Sequence, residues 1–171
     1  MDDEYPQPVF LDATVLSNFA TTDGISFLAT LIESPVVAPT VRDEIERGWT
    51  AGYEDLVTAV DSFDDDLPIR DVSEGAGTGD IRDRLDSGEA ASILGVLEHG
   101  GTIATADLAA RRVANSRDIP VTGSIGLLVL GVERDLIDAT TADEWLETWR
   151  DRRGYYAPVE SVTEILDDER E

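Results

Sequence analysis

The sequence predicts an α/β fold in which a short-stranded central parallel sheet is covered by helices on both faces. Short apolar runs of strand length, such as 8–11 and 102–105, alternate with longer segments whose apolar residues recur at helical spacing. Alternation of that kind builds βαβ units, whose strands are buried on both sides and therefore read as continuous apolar stretches. A further observation places a site. Asp12 and Asp107 each stand just beyond one of these strands, and in open parallel sheets the binding crevice lies beyond the carboxyl ends of the strands.

After a short acidic leader, residues 8–12 form a buried strand ending in a carboxylate, and Val15, Leu16, Phe19 and Ala20 follow at helical spacing. Residues 24–33 are a second helix with Ile25, Leu28 and Ile32 in register, and residues 35–38 a second short strand. Pro39 and Thr40 start a helix carrying Val41, Glu44 and Ile45, with Thr40 as the expected N-cap. Residues 53–63 continue helically through Leu56, Val57 and Val60. Residues 68–72 are a short strand or an extended connection, and the glycine-rich stretch 73–79 is a loop. A helix runs from Ile81 towards Leu85. The next is opened by Ser87, Gly88 and Glu89 and continues from Ala90 to Glu98, its small residues suiting close packing on a sheet, until Gly100 and Gly101 stop it. A third strand at 102–105, a helix over 107–116, a fourth strand at 119–121 and an apolar helix over 125–132 complete the alternation. Two last helices, 142–152 and 159–168, carry Trp145, Trp149 and Ile165 as docking residues. No repeat or linker divides the chain, so residues 1–171 are expected to form a single domain, with a helical extension over about 140–168.

Charge sets the conditions under which such a chain works. It has 37 acidic residues against 13 basic ones, a net charge of −24, and every basic residue is an arginine. Self-repulsion of that size is strong in dilute buffer, but at about 1 M salt the screening length falls to roughly 3 Å. The surface is therefore suited to molar salt, and the balance resembles that of cytosolic haloarchaeal proteins, where weakly hydrated arginine replaces lysine. The chain has no cysteine and one histidine, His99, which excludes thiol catalysis, structural zinc sites and Ser-His nucleophiles unless His99 alone serves. Any bound metal is then held by oxygen. The start of the chain lacks the basic and apolar segments of a signal peptide, and no apolar run reaches the ~18 residues of a membrane span, so a cytoplasmic protein without membrane contact is expected.

Four acids stand beside buried strands or at the starts of packed helices. Asp12 lies in LDATVLSNFA, Glu44 in VVAPTVRDEI, Glu89 in LDSGEAASIL and Asp107 in TIATADLAARRVA. Each has an ordinary explanation as a turn residue, a cap, a first-turn acid or a solvated helix face. Yet carboxylates next to apolar strands need partners, because an unpaired buried charge is costly. The ordered set D-x-T-x-L, T-V-x-x-E, G-E-A-x-x-I, T-x-D-x-x-A-R and V-T-G-S-x-G-L-L, spread over about residues 8–133, resembles the PIN-domain nucleases. That resemblance implies a compact three-layer α/β/α fold with its core over those residues. It also implies a carboxylate cluster of Asp12, Glu44, Glu89 and Asp107 holding Mg²⁺ or Mn²⁺, and phosphodiester hydrolysis, usually of RNA. Hard cations prefer oxygen ligands, which suits a cluster without histidine. Asp43 is easily confused with Glu44, but the spacing from Thr40 and the helical face shared with Val41 favour Glu44.

Around these acids, Thr14 and Ser124 are candidates to orient carboxylates or bind metal-associated water, and Thr122 could do the same. Arg111, one helical turn after Asp107, is a candidate phosphate contact, although Arg111 and Arg112 could simply pair with acids. Trp49, Tyr53, Tyr155 and Tyr156 are candidate base-stacking residues, with ordinary packing as the alternative. Other possibilities are a PIN-like binding module without catalysis and the toxin half of a pair with an antitoxin-like protein. Haloacid-dehalogenase-type phosphatases share the LDATVL opening, but they carry a second acid where this chain has Thr14 and a lysine this chain lacks. The loop GAGTGD is no dinucleotide motif, since Asp80 stands where the third glycine belongs. A homodimer through the apolar terminal helices is a further expectation. Because the net charge repels itself at low ionic strength, the unfolding midpoint should climb as KCl rises from about 0.1 M to about 2 M; thermal melts showing no climb would contradict the adaptation to salt.

Overall fold

A computed structural model of the chain describes residues 5–73, 79–155 and 161–170, without the side chains of Asp80 and 167–170. Four strands, β1 (Val9–Leu11), β2 (Pro35–Val36), β3 (Thr102–Ala104) and β4 (Val121–Thr122), form one parallel sheet in the order β2-β1-β3-β4. In register, Val9 lies opposite Thr102 and Leu11 opposite Ala104. The order reverses between β1 and β3, which opens a crevice at the carboxyl ends of those two strands.

Helices α1 (Ala13–Thr21) and α2 (Ile25–Leu31) join β1 to β2. The path from β2 to β3 runs through α3 (Pro39–Thr50), a 3₁₀ turn (Glu54–Leu56), α4 (Val57–Ser62), α5 (Gly79–Arg84) and α6 (Ser87–His99). Helix α7 (Leu108–Ser116) joins β3 to β4, and α8 (Ser124–Glu133), α9 (Ala139–Arg153) and α10 (Val162–Arg170) complete the chain. Successive strand residues point to opposite faces. Val9 and Leu11 accordingly meet Leu16, Phe19, Leu127, Leu128 and Trp149 on one side, while Phe10 and Ile103 meet Ile93, Leu94 and Val113 on the other. The layers are thus helix, sheet, helix, as expected.

Small residues let the second layer close. A Cβ at Gly95 would lie 2.5 Å from the Phe10 ring, so α6 rests directly on β1. At the turn into β3, Gly101 has a φ of +103°, and a side chain there would strike the Pro8 carbonyl; only glycine meets both demands.

Several expectations change in detail. Thr40 is not an N-cap: Ala38 holds that position without a side-chain bond, and Pro39 occupies the first turn, where its missing N–H costs nothing. Residues 68–72 are an extended connection bridged to Val37 rather than a sheet strand, with Val37 N donating to Pro68 O and Arg70 N to Val37 O, both at 2.9 Å. β4 begins two residues later than expected. Most of the glycine-rich loop, residues 74–78, lies outside the described residues, as do residues 159–160 of the last expected helix and Tyr156. No helix among the described residues is long and apolar enough to cross a membrane.

The C-terminal helices share the main core. Ala142, Leu146 and Trp149 of α9 and Val162 and Leu166 of α10 are buried in the same cluster as Val9 and Leu11, with Trp145 and Ile165 partly buried against it. Trp149 is fully buried, stands edge-on to Phe19 with ring centroids 4.9 Å apart, and donates through Nε1 to Thr22 Oγ1 at 3.3 Å. Trp149→Ala should therefore cost about 3–5 kcal/mol, measured by urea unfolding in molar KCl; a loss under about 1 kcal/mol would mean that α9 is not integral to the fold.

Candidate functional site

Asp12 ends β1 and caps α1. Its side chain is 1% exposed, yet it is well supplied with donors: the Ala13 amide donates to Oδ1 at 2.7 Å and the Thr105 hydroxyl to Oδ2 at 2.7 Å, with Thr14 Oγ1 at 3.4 Å from the same oxygen. Thr105 follows β3, so this bond ties the two strands at the crevice. The same Thr105 oxygen accepts from the Asp107 amide at 3.1 Å, and Thr14 Oγ1 accepts from the Ala106 amide at 2.9 Å. The two threonines thus hold the backbone leading to Asp107 against the Asp12 carboxylate.

The other acids arrive from three helices. Asp107 is the N-cap of α7, with Oδ2 accepting from the Ala110 amide at 2.9 Å. Glu89 stands in the first turn of α6, and its Oε1 accepts from the Asp86 amide at 3.3 Å. The ordinary roles of cap and first-turn acid are therefore real for both, and coexist with their place at the crevice. Glu44 projects from α3 towards α6, where a Cβ on Gly88 would lie 2.5 Å from its Oε1. Asp43 turns away to pair with Arg42 at 3.1 Å, which leaves Glu44 as the α3 acid of the group.

Burial and neighbouring carboxylates raise three of these acids. Burial pushes the Asp12 carboxyl up to about 6; the Thr105 and Ala13 hydrogen bonds oppose the rise, and the charges of Glu44 and Asp107 add to it. Glu89 rises to about 7, first through desolvation and then through the charges of Asp12 and Asp107, with the Asp86 amide opposing. Glu44 is raised by partial desolvation, against the pull of Arg47 and with the help of Asp86. Even so, among the described residues no group of three or more His, Cys, Asp or Glu side chains is drawn together closely enough to hold an ion. Asp12, Glu89 and Asp107 each accept from a local donor.

Of the expected neighbours, Thr14 and Arg111 are at the crevice. Arg111 Nη1 donates to Thr105 O at 3.2 Å and lies where a side chain at Gly123 would otherwise stand, 2.8 Å from that Cβ position. Ser124 is buried with its hydroxyl accepting from Asn18 Nδ2 at 3.0 Å, and Thr122 faces Gly126 within the fold; neither hydrogen-bonds a carboxylate. His99 stacks on Phe10 at the far end of α6, ten residues and so roughly 15 Å along the helix from Glu89. Tyr155 packs edge-on to Trp149 at 5.7 Å, while Trp49 and Tyr53 are 44% and 69% exposed. The sequence reading overlooked Thr105, although T-x-D after a strand was its signal, and Asn18, one helical turn after Thr14.

A family profile described as PIN domain matches residues 8–171. No curated protein shows significant sequence similarity to the chain.

The raised carboxyls set a pH dependence. The folded state holds the Asp12 and Glu89 protons more tightly than the unfolded chain, so their stabilisation is complete below about pH 4 and is lost as pH rises through about 6 to 7. Metal-free protein in chelator should lose stability across that window. Asp12→Asn should remove the Asp12 share, up to about 3 kcal/mol at roughly 1.4 kcal/mol per tenfold change in proton affinity. Denaturant titrations at pH 5 and pH 8 giving parallel results for both proteins would contradict the assignment.

Proposed function

The chain belongs to the PIN-domain family, and from that premise we propose that it is a divalent-metal-dependent nuclease that hydrolyses phosphodiester bonds, with RNA as its substrate. PIN domains are typically nucleases that use divalent metals. The observation that supports this activity here is the Asp12 carboxylate at the sheet crossover, raised first by burial and further by the charges of Glu44 and Asp107, with no ion pair among the described residues. Such a concentration of like charge is stable at neutral pH only if protons or a cation neutralise it. Oxygen donors without histidine or cysteine match Mg²⁺ or Mn²⁺.

Asp12, Glu44, Glu89 and Asp107 would hold the metal. When bound, the ion supplies positive charge that stabilises a phosphoryl transition state and acidifies the attacking water. The chain's own residues do the positioning. Thr105 and the Ala13 amide fix both oxygens of Asp12, and Thr14 clips α1 to the strand that delivers Asp107. Arg111, fixed by a neutral carbonyl, is offered to a substrate phosphate, and Ser124 holds Asn18, which receives Arg153 rather than a carboxylate. The phosphatase alternative has no second acid to use, because Thr14 binds backbone at that position.

In about 2 M KCl with Mn²⁺, the protein should cleave labelled RNA, and chelator or Asp12→Asn should abolish cleavage. Thr105→Val should slow it by about 10- to 100-fold, the range typical for groups that orient metal ligands. Cleavage that survives chelator and Asp12→Asn alike would overturn the proposal. Mn²⁺ should also raise the melting midpoint of the wild type more than that of Asp12→Asn, since a ligand that binds only the folded state stabilises it.

A further inference from the structure

Arginines in this chain are scarce and acids plentiful, so an arginine aimed by a buried neutral side chain is informative. Arg42 pairs with Asp43 at 3.1 Å, Arg152 with Asp55 at 2.6 Å and Arg150 with Glu147 at 3.7 Å. Arg153 does not. At the end of α9, its Nε donates to Asn18 Oδ1 at 2.9 Å, and among the described residues it forms no ion pair. Asp55 attracts it from further away but is already engaged by Arg152. Asn18 is buried and fixed from its other end by Ser124, so the guanidinium is aimed by a neutral partner and keeps its charge.

Its place matters as much as its pairing. Asn18 follows Thr14 by one turn of α1, so their Cβ atoms lie roughly 5–6 Å apart, and Thr14 touches the Asp12 network. Arg111 reaches Gly123 from α7, while Arg153 reaches Ser124, through Asn18, from α9. Two arginines held by neutral acceptors therefore flank the same dipeptide beside the carboxylates. On the outer side stands Tyr53, 69% exposed and two residues before Asp55, whose carboxylate receives Arg152 at 2.6 Å and so holds this segment against the end of α9.

We infer that Arg153 and Tyr53 form a one-nucleotide subsite for single-stranded nucleic acid, with a phosphodiester on the guanidinium and the neighbouring base on the tyrosine ring. The inference rests on the nuclease function proposed above and gives the C-terminal extension a part in substrate binding. A planar guanidinium suits bidentate phosphate recognition, and an exposed aromatic ring stacks any base. Contacts of this direct kind persist in molar salt, where long-range attraction is screened.

The test measures binding of a fluorescent single-stranded RNA oligonucleotide in about 2 M KCl with Mn²⁺, using Asp12→Asn protein to prevent cleavage. Arg153→Gln, which can still donate to Asn18 but has no charge, should weaken binding about tenfold, and Arg153→Lys should fall between. Placing one uncharged methylphosphonate at successive linkages should weaken binding at one position in the Arg153 protein, and at that position alone should have no effect on Arg153→Gln. Tyr53→Ala should respond in the same way to an abasic nucleotide next to that linkage. Equal melting midpoints for the variants would show that folding is intact. If every neutral linkage affects both proteins equally, or Arg153→Gln binds as tightly as its parent, the subsite is wrong while the nuclease proposal stands on wild-type cleavage. If the oligonucleotide is neither bound nor cleaved, both fall.

Discussion

The carboxylate of Asp12 sits buried at the point where the strand order reverses, held by the Ala13 amide on one oxygen and the Thr105 hydroxyl on the other. Burying a charge there is costly unless donors or an opposite charge meet it. The donors stitch β1 to the end of β3 and place Asp107 alongside. What they leave unmet is the repulsion from Asp107, Glu44 and Glu89, which among the described residues only Arg47 opposes, at Glu44. Arg111, one turn after Asp107, is turned to the Thr105 carbonyl. The hydrogen bonds thus fix Asp12 in place while its acidic neighbours keep acting on it.

The same network reaches the C-terminal helices. Trp149 anchors α9 in the core that also buries Val9 and Leu11, and four residues later Arg153 meets Asn18 on the helix that Asp12 caps. An extension that reads as an addition to the alternating core is, in space, packed onto α8 and beside the crevice. Core packing sets the position of α9, and the polar end of that helix is thereby delivered to the site.

Much of the fold is legible in the chain. Apolar runs at 8–11 and 102–105 mark central strands because both of their faces are covered, and the small residues of α6 mark a helix that must approach Phe10 closely. Local signals fail where neighbours decide. Thr40 has the side chain of an N-cap, but Pro39 takes the first helical position and shifts the cap to Ala38. Residues 68–72 read equally as a strand or an extended connection, and the bridge to Val37 makes them the latter. Short polar signals depend on neighbours that the local pattern does not specify.

Taken alone, the sequence determined the alternating architecture, the oxygen-only chemistry and the order of four acids along the chain, because periodicity and residue type are local properties. Tertiary structure alone decided that Thr105 would bridge Asp12 and Asp107, and that Arg153 would settle on Asn18, 135 positions away in sequence. Those are contacts between distant segments. Their geometry follows from how the helices pack on the sheet, which fixes the direction of each side chain only when the layers have closed.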